Sequence, residues 1–273
     1  MLAFEPPYFG NGATLGGVVA CGLSGPRRPY VGSVRDFILG VKCLTGKGEI
    51  LTFGGQVMKN VAGYDVSRLM TGALGTLGVL LEISIKVLPV PEYEVSLTKT
   101  KDFPSALYDM NTWAGQSLSL SAACYDGQHL HIRLSGKCSA VHAAMKQLNM
   151  DDHPEGLRYW QDLREHRLDF FKNITDVLWR ISVPSTADAL DLYGEWFIDW
   201  GGAQRWLKSS ESMEKVRSVA EQAGGHATLF RGGNRNGEVF HPLSPGIKTL
   251  HTRLKQAFDP EIILNKGHMY REF

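Results

Sequence analysis

Two glycine-rich stretches near the start of the chain constrain it most: Ala13-Thr14-Leu15-Gly16-Gly17 and Gly72-Ala73-Leu74-Gly75-Thr76-Leu77-Gly78. Glycine is needed where backbone must approach a neighbour closely or take a positive φ. Each stretch runs into an apolar segment, and Lys59-Asn60-Val61-Ala62-Gly63-Tyr64-Asp65 lies between them. Two readings fit. One is a pair of turns at sheet edges. The other is one extended ligand held by backbone N–H groups, for which a pyrophosphate-bearing molecule is the natural candidate.

The rest of the composition narrows the class. A chain of 273 residues has room for one large domain or two smaller ones, each with its own core. The formal net charge of +1 gives no general pull toward nucleic acid or acidic lipid. The four cysteines, Cys21, Cys43, Cys124 and Cys138, are scattered and form no CxxC. Such usage fits a reducing compartment, and a cytoplasmic location is expected. No run of about 18 apolar residues is present, so no membrane span is expected. The opening Met1-Leu2-Ala3-Phe4-Glu5-Pro6-Pro7 lacks the basic and then apolar order of a signal peptide. Glycine-rich sequence follows it at once, which reads as a beginning within a domain.

Periodicity predicts strands over 37–44 and 50–53 around the turn at Thr45–Glu49, a short helix over 64–70, and a strand with a buried middle over 77–88. Pro89-Val90-Pro91 marks a boundary. Beyond it the pattern predicts strands over 93–98, 118–124, 129–134, 179–183, 205–208 and 227–231. Helices are predicted over 103–113, 139–148, 157–171, 186–197 (capped by Ser185 or Thr186), 212–223 and 245–258. The last carries apolar Ile247, Leu250, Leu254 and Phe258 on one face. This order predicts an α+β chain whose second part is an antiparallel sheet covered on one face by helices. The expected domains are 1–90, 91–240, and a C-terminal helix and tail over 241–273 that returns toward the first domain.

Read together, the motifs resemble a known family. Gly10-Asn11-Gly12-Ala13-Thr14-Leu15-Gly16-Gly17 and Asp36-Phe37-Ile38-Leu39-Gly40-Val41 are similar to the flavin domain of vanillyl-alcohol-oxidase, PCMH-type flavoproteins. Lys59–Asp65 followed by Gly75-Thr76-Leu77-Gly78 resembles the branch acting on 2-hydroxy acids. Ser24-Gly25-Pro26-Arg27-Arg28-Pro29, Trp200–Leu207, Gly225–Arg231 and the tail from Phe258 to Tyr270 resemble the FAD-binding subunits of bacterial glycolate oxidase. The family's flavin domain has an N-terminal lobe with a first glycine-rich loop before the point where this sequence starts. The family tail usually reads Asn-Pro-Gly-Arg, where this one reads Asn265-Lys266-Gly267-His268.

The resemblance implies a C-terminal lobe of a PCMH-type FAD domain joined to an antiparallel cap domain, with FAD as cofactor. It implies pyrophosphate contacts at Thr14, Gly16 and Gly17, and isoalloxazine contacts along Gly22, Ser24 and Gly25. Tyr64, with Lys59 and Asp65, would shape a loop near the cofactor. Gly75, Thr76, Gly78, Glu82 and Ile83 would cover the ribose and adenine. Arg27 and Arg28 would either hold an anion near the flavin or face a partner subunit. Oxidising a 2-hydroxy acid needs a base, a cation for the carboxylate and a hydride acceptor. His226, Arg231 and Arg180 are the expected catalytic groups. The implied partners are a second flavin-type subunit, an iron–sulfur subunit and a small 2-hydroxy acid, with membrane contact only peripherally through the complex. The alternatives are a non-catalytic assembly subunit and a free-standing 2-hydroxy-acid dehydrogenase. His129 and His131 alternate on one strand face, but without a carboxylate motif beside them they read as a surface hairpin, and no metal site is expected. Asn173-Ile174-Thr175 is a sequon without meaning in a cytosolic chain.

Overall fold

The computed structural model describes residues 1–55, 65–172 and 177–272. In chain order the helices are α1 (Leu15–Cys21), α2 (Arg28–Val31), α3 (Val34–Phe37), α4 (Val66–Leu69), α5 (Phe103–Ala114), α6 (Cys138–Leu148), α7 (Arg158–Arg164), α8 (Met213–Gln222) and α9 (Pro245–Phe258). The strands are β1 (Ile38–Leu44), β2 (Ile50–Gly54), β3 (Val79–Ile85), β4 (Tyr93–Thr100), β5 (Leu120–Tyr125), β6 (His129–Gly136), β7 (Asp151–Asp152), β8 (Val177–Ser182), β9 (Glu195–Asp199), β10 (Gln204–Ser209) and β11 (His226–Arg231). The backbone forms two compact units. The first comprises Met1–Gly25, Gly32–Leu88 and Gly237–Phe273; the second comprises Pro26–Val31 and Pro89–Asn236. Among the described residues no helix is long and apolar enough to cross a membrane.

The first unit is built on a small antiparallel sheet in the order β2-β1-β3. β1 lies between its two partners and buries Ile38, Val41 and Cys43. β3 differs from the sequence expectation of a buried middle, since Leu81 and Glu82 are exposed. Val, Ile and Leu favour pleated strands even where one face meets solvent, so composition alone overstated its burial. The amphipathic α9 also departs from a fully packed stripe. Ile247 and Leu250 are exposed, whereas the other end of the helix buries Lys255 and sets the Phe258 ring 6.2 Å from that of Phe53.

The second unit is an antiparallel sheet in the order β11-β8-β10-β9-β5-β6-β4-β7. Its alternating residues feed two cores, because successive side chains on a strand point to opposite faces. On β5, Ala123 joins α5 and α6 through Ala106, Met110, Val141 and Ala144. Its neighbours Ala122 and Cys124 join Tyr159, Trp160 and Leu163 of α7 together with Phe171. The expectation of a sheet covered on one face is therefore corrected. The aromatic-rich segment between α7 and Phe171 covers part of the second face, and its burial follows from Trp160 and Phe171, not from its charges.

The predicted helix over 186–197 is absent. Residues 186–194 are irregular, and Glu195–Asp199 is a strand. Neither Ser185 nor Thr186 caps anything. The Ser185 hydroxyl donates to Asn111 Oδ1 at 2.8 Å, and its carbonyl accepts from Asn111 Nδ2 at 3.1 Å. The buried Arg205 guanidinium takes the carbonyls of Ala187, Asp188 (2.6 Å) and Gly202 (3.2 Å). Those of Ala187 and Asp188 are acceptors that a helix would have used. Helix propensity spans only tenths of a kcal/mol per residue and yields to such contacts. Arg205→Met should orphan these buried carbonyls and destabilise the second unit by about 3 kcal/mol or more. The check is a urea titration of the purified chain followed by tryptophan fluorescence, in which an unchanged midpoint would contradict this role.

Candidate functional site

The two glycine-rich stretches meet each other in the first unit. Gly22 caps the C-terminus of α1 in the left-handed region at φ 67. A Cβ there would lie 2.8 Å from the Gly72 Cα, and Gly72 itself sits at φ +78. The Gly72 amide donates to the Val19 carbonyl at 3.0 Å, and the Leu74 amide to the Ala20 carbonyl at 2.9 Å. The glycines at 22 and 72 thus serve a backbone crossing. Gly25 serves another, since its amide donates to the Phe4 carbonyl at 2.9 Å and a Cβ would collide with the Glu5 carbonyl. The Ser24 hydroxyl accepts from the Val34 amide at 3.0 Å. Packing within the unit therefore accounts for Gly22, Ser24 and Gly25.

Gly12 and Gly16 are different. Apart from chain neighbours and the helix's own backbone, no atom lies within 4 Å of where a Cβ would stand at either position. Thr14 is the N-cap of α1, and its hydroxyl oxygen accepts from the Gly17 amide at 3.0 Å. The first amides of a helix have no intrahelical partner. Those of Leu15 and Gly16 lie at this exposed end, and the Thr14 O–H remains able to donate. Glycine inside a helix costs about 1 kcal/mol relative to alanine, and no internal contact asks for it at Gly16. The sheet-edge-turn reading gives way to a helix start whose bare backbone faces outward.

The second stretch is held by a buried lysine that the sequence reading missed. Lys255 Nζ donates to the Thr76 carbonyl at 2.8 Å, to Asp259 Oδ2 at 2.7 Å and to the Leu264 carbonyl at 2.7 Å. Asn265 Nδ2 donates to the Leu74 carbonyl at 2.6 Å, where the missing Cβ of Gly75 leaves room for it. The Thr76 hydroxyl donates to the Ala73 carbonyl at 2.7 Å, and Gly78 packs against the Leu44 carbonyl. Beside this loop lies a cavity of about 180 Å³ lined by Thr71, Gly72, Thr76, His251, Leu254 and Lys255. The Thr71 hydroxyl is buried there with no hydrogen-bond partner among the described residues. On β3, Glu82 pairs with Lys42 at 2.8 Å, and Ile83 lies opposite Val41. Tyr64, Lys59 and the sequon Asn173-Ile174-Thr175 lie outside the described residues. Asp65 is the N-cap of α4, accepting from the Arg68 amide at 3.1 Å and the Ser67 hydroxyl at 2.7 Å.

The second unit gathers arginines around one indole. Arg28 lies 4.3 Å and Arg180 5.3 Å from the centroid of Trp200. Arg180 Nε donates to Gln204 Oε1 at 2.8 Å. Burial, followed by the nearby Arg28 charge, holds the Arg180 guanidinium down to about 10, with Asp199 opposing the shift. Arg27 does not join them. It is buried and ion-pairs with Glu94, with Ser135 Oγ accepting at 3.1 Å, so it is not an exposed partner contact. His226 and Arg231 stand at opposite ends of β11, roughly 16 Å apart at strand rise. Thr228, not His226, faces Arg180 across the ladder. The imidazole found near Arg180 and Arg231 is His166, stacked on Phe171 at 4.0 Å and edge-on to Trp206 at 4.7 Å. Its backbone takes φ +54, which no periodicity announces. On the β5–β6 hairpin, His131 is buried, and Asp126 of the turn brings its carboxylate to 3.0 Å from the imidazole.

None of the protein-family models matches the chain. Glycolate oxidase subunit GlcE of Escherichia coli (strain K12) is 50% identical over 272 residues, which cover 100% of this chain and 76% of that protein. The chain belongs to the GlcE family of glycolate oxidase subunits. Glycolate oxidase subunit GlcD of Bacillus subtilis (strain 168) is 36% identical to this GlcE-family chain over 107 residues, covering 39% of this chain and 21% of GlcD. A solved structure of alkyldihydroxyacetonephosphate synthase covers 96% of this chain with a TM-score of 0.62 at 16% identity, and the chain spans 60% of it. That likeness establishes the shared mixed helix and antiparallel-sheet fold.

His166 generates a pH prediction for this GlcE-family chain. Burial, then the charges of Arg231 and Arg180, push its imidazole down to about 3. Its unfolded value is about 6.5. The unfolded chain thus takes up this proton first as pH falls, and stability is lost between about pH 6.5 and 3, by up to about 1.4 kcal/mol per pH unit. His166→Asn, which tolerates a positive φ, should flatten that loss. Urea midpoints of both chains at pH 7 and pH 5 test it, and equal slopes would contradict it.

Proposed function

We propose that this chain is the FAD-holding subunit of a glycolate oxidase complex that converts glycolate to glyoxylate, working with a second flavin-type subunit and an iron–sulfur subunit. The observation that carries this reading is the 50% identity with GlcE over 272 residues, 100% of this chain and 76% of GlcE. Association with the membrane is peripheral, through the complex. When bound, FAD supplies the two-electron acceptor that oxidation of a 2-hydroxy acid requires.

The residues of the first unit fit such a group. A phosphate-bearing ligand is recognised by unpaired amides at a helix start, and bare backbone lets it approach. Leu15, Gly16 and Thr14 offer two amides and a hydroxyl, and Gly12 and Gly16 present no Cβ. The unpartnered Thr71 hydroxyl and its cavity offer a second polar contact on the other glycine stretch. In the second unit, Arg28 and Arg180, both over the Trp200 ring, are the cations best suited to a small carboxylate, since guanidinium groups pair with carboxylates through charge-assisted hydrogen bonds. Arg231 extends this positive field toward His166. His226, at the other end of β11, is not assigned a part in it.

Two variants test the assignment. Gly16→Val meets no internal atom, so the chain should fold as wild type yet lose most bound flavin, read from the visible absorption of the purified protein after incubation with FAD. Full flavin content in that variant would remove Gly16 from the cofactor site. Arg180→Met should raise the KM for glycolate by about 10-fold or more in the reconstituted complex, as expected for loss of a charge-assisted contact. An unchanged KM would remove Arg180 from the substrate site. A wild-type chain that stays colourless but still assembles with its partners would instead favour a non-catalytic assembly role.

A further inference from the structure

The hairpin joining β5 and β6 brings three ligand-type side chains to one point. Asp126 opens the turn, and His129 and His131 follow on the same face of β6. One donor atom from each of the three lies within 4.8 Å of the others. Asp126 Oδ2 is 3.0 Å from His131 Nε2 and 3.6 Å from His129 Nδ1. Ligand atoms of a tetrahedral zinc shell, with bonds of about 2.0–2.1 Å, stand about 3.3 Å apart. The two distances bracket that spacing.

The arrangement exceeds what the turn requires. Closing the hairpin uses only the other carboxylate oxygen, Oδ1, which accepts from the Gln128 amide at 2.9 Å and the His129 amide at 2.7 Å. These bonds aim Oδ2 at the two imidazoles. His131 is held from behind, with Thr98 Oγ1 of β4 lying 3.1 Å from its Nδ1. A partner on the far ring nitrogen is how metal-binding imidazoles are usually oriented. The His131 ring is also packed against Tyr159 at 4.5 Å and His153 at 4.9 Å, which fixes its plane. The Nδ1 of His153 accepts from the Glu155 amide at 3.1 Å. Side-chain exposure rises from 6% at His131 through 31% at Asp126 to 41% at His129. The donor set is therefore anchored on its inner side and open to solvent on the other, which leaves an entry path and room for water.

We propose that Asp126 Oδ2, His129 Nδ1 and His131 Nε2 form a binding site for a divalent transition-metal ion of the zinc class, completed by water. Two imidazoles and a carboxylate suit zinc and its neighbours better than calcium or magnesium, which prefer all-oxygen shells. Three protein ligands leave one position of a tetrahedral shell for water. Sequence reading set this pair of histidines aside because no carboxylate motif flanked them. The turn supplies the carboxylate from five positions before His131.

Isothermal titration of the untagged, chelator-treated full chain with zinc chloride tests the site, and Co2+ as a second probe reports its ligands by ligand-field absorption. One Zn2+ per chain is expected, together with a rise in Tm on zinc addition. His129→Ala, at the exposed side chain least needed for folding, should weaken binding by at least about 10-fold. Thr98→Val should weaken it by about 10-fold through loss of the orienting contact. His142→Ala, on α6, should bind as wild type. A wild-type chain that takes up no zinc overturns the proposal. So does zinc that binds the His129→Ala chain as tightly as wild type, which would mark it as adventitious. Neither result bears on the flavin content of the Gly16→Val chain, so the two assignments fail separately.

Discussion

The first unit depends on one buried ammonium. Lys255 Nζ has three protons and three acceptors: a carboxylate and two backbone carbonyls. Asp259 is likewise satisfied, accepting from the amides of Ile263 (3.2 Å) and Leu264 (2.8 Å) as well as from the lysine. Both side chains are almost wholly buried. An ion pair in such a place adds little net stability, but losing one partner leaves an uncompensated charge, at a cost of about 3–5 kcal/mol. What the pair supplies is position. It ties α9 and the tail to Thr76, Asn265 ties the tail to Leu74, and Leu74 ties the second glycine stretch to α1. The outward-facing helix start at Thr14–Gly17 stands at the end of that chain of contacts.

Arg205 does the corresponding work in the second unit. Its guanidinium binds carbonyls of a segment that has no regular structure, so the connection between β8 and β9 is held by side chains, Arg205 at Ala187 and Asp188 and Asn111 at Ser185, and not by a ladder. The sheet then places Arg180 next to Trp200 and Arg28, residues far apart in sequence. Like charges this close are tolerated because an indole face and the Gln204 amide oxygen accept them.

Much of the fold was legible in the sequence. The β4–β6 region and α5, α6, α8 and α9 were readable because alternation and helical spacing act over a few residues. The family was legible from the order of motifs. Legibility failed where a distant side chain decided the outcome. The segment over 186–194 has helical composition, yet Arg205 claims its Ala187 and Asp188 carbonyls, and Asn111 holds Ser185 just before it. β3 has core composition, yet an outer face at Leu81. The site divides in the same way. Thr14, Gly16, Gly22 and Gly25 look alike in sequence, and only the packing around them shows that Thr14 caps a helix, that Gly22 and Gly25 sit at backbone crossings and that Gly16 does not.

By itself, then, the sequence determined many of the local elements, their antiparallel class and the glycolate oxidase subunit family, since propensity, periodicity and motif order are short-range properties. Only the tertiary structure decided which glycines face outward and which make room for backbone. It also decided that Lys255 is buried, that Arg27 is committed while Arg28 and Arg180 converge, and that Asp126 stands beside two histidines. Each of these depends on what lies across space from a residue. Burial, desolvation and hydrogen-bond satisfaction are set there and not by neighbours along the chain.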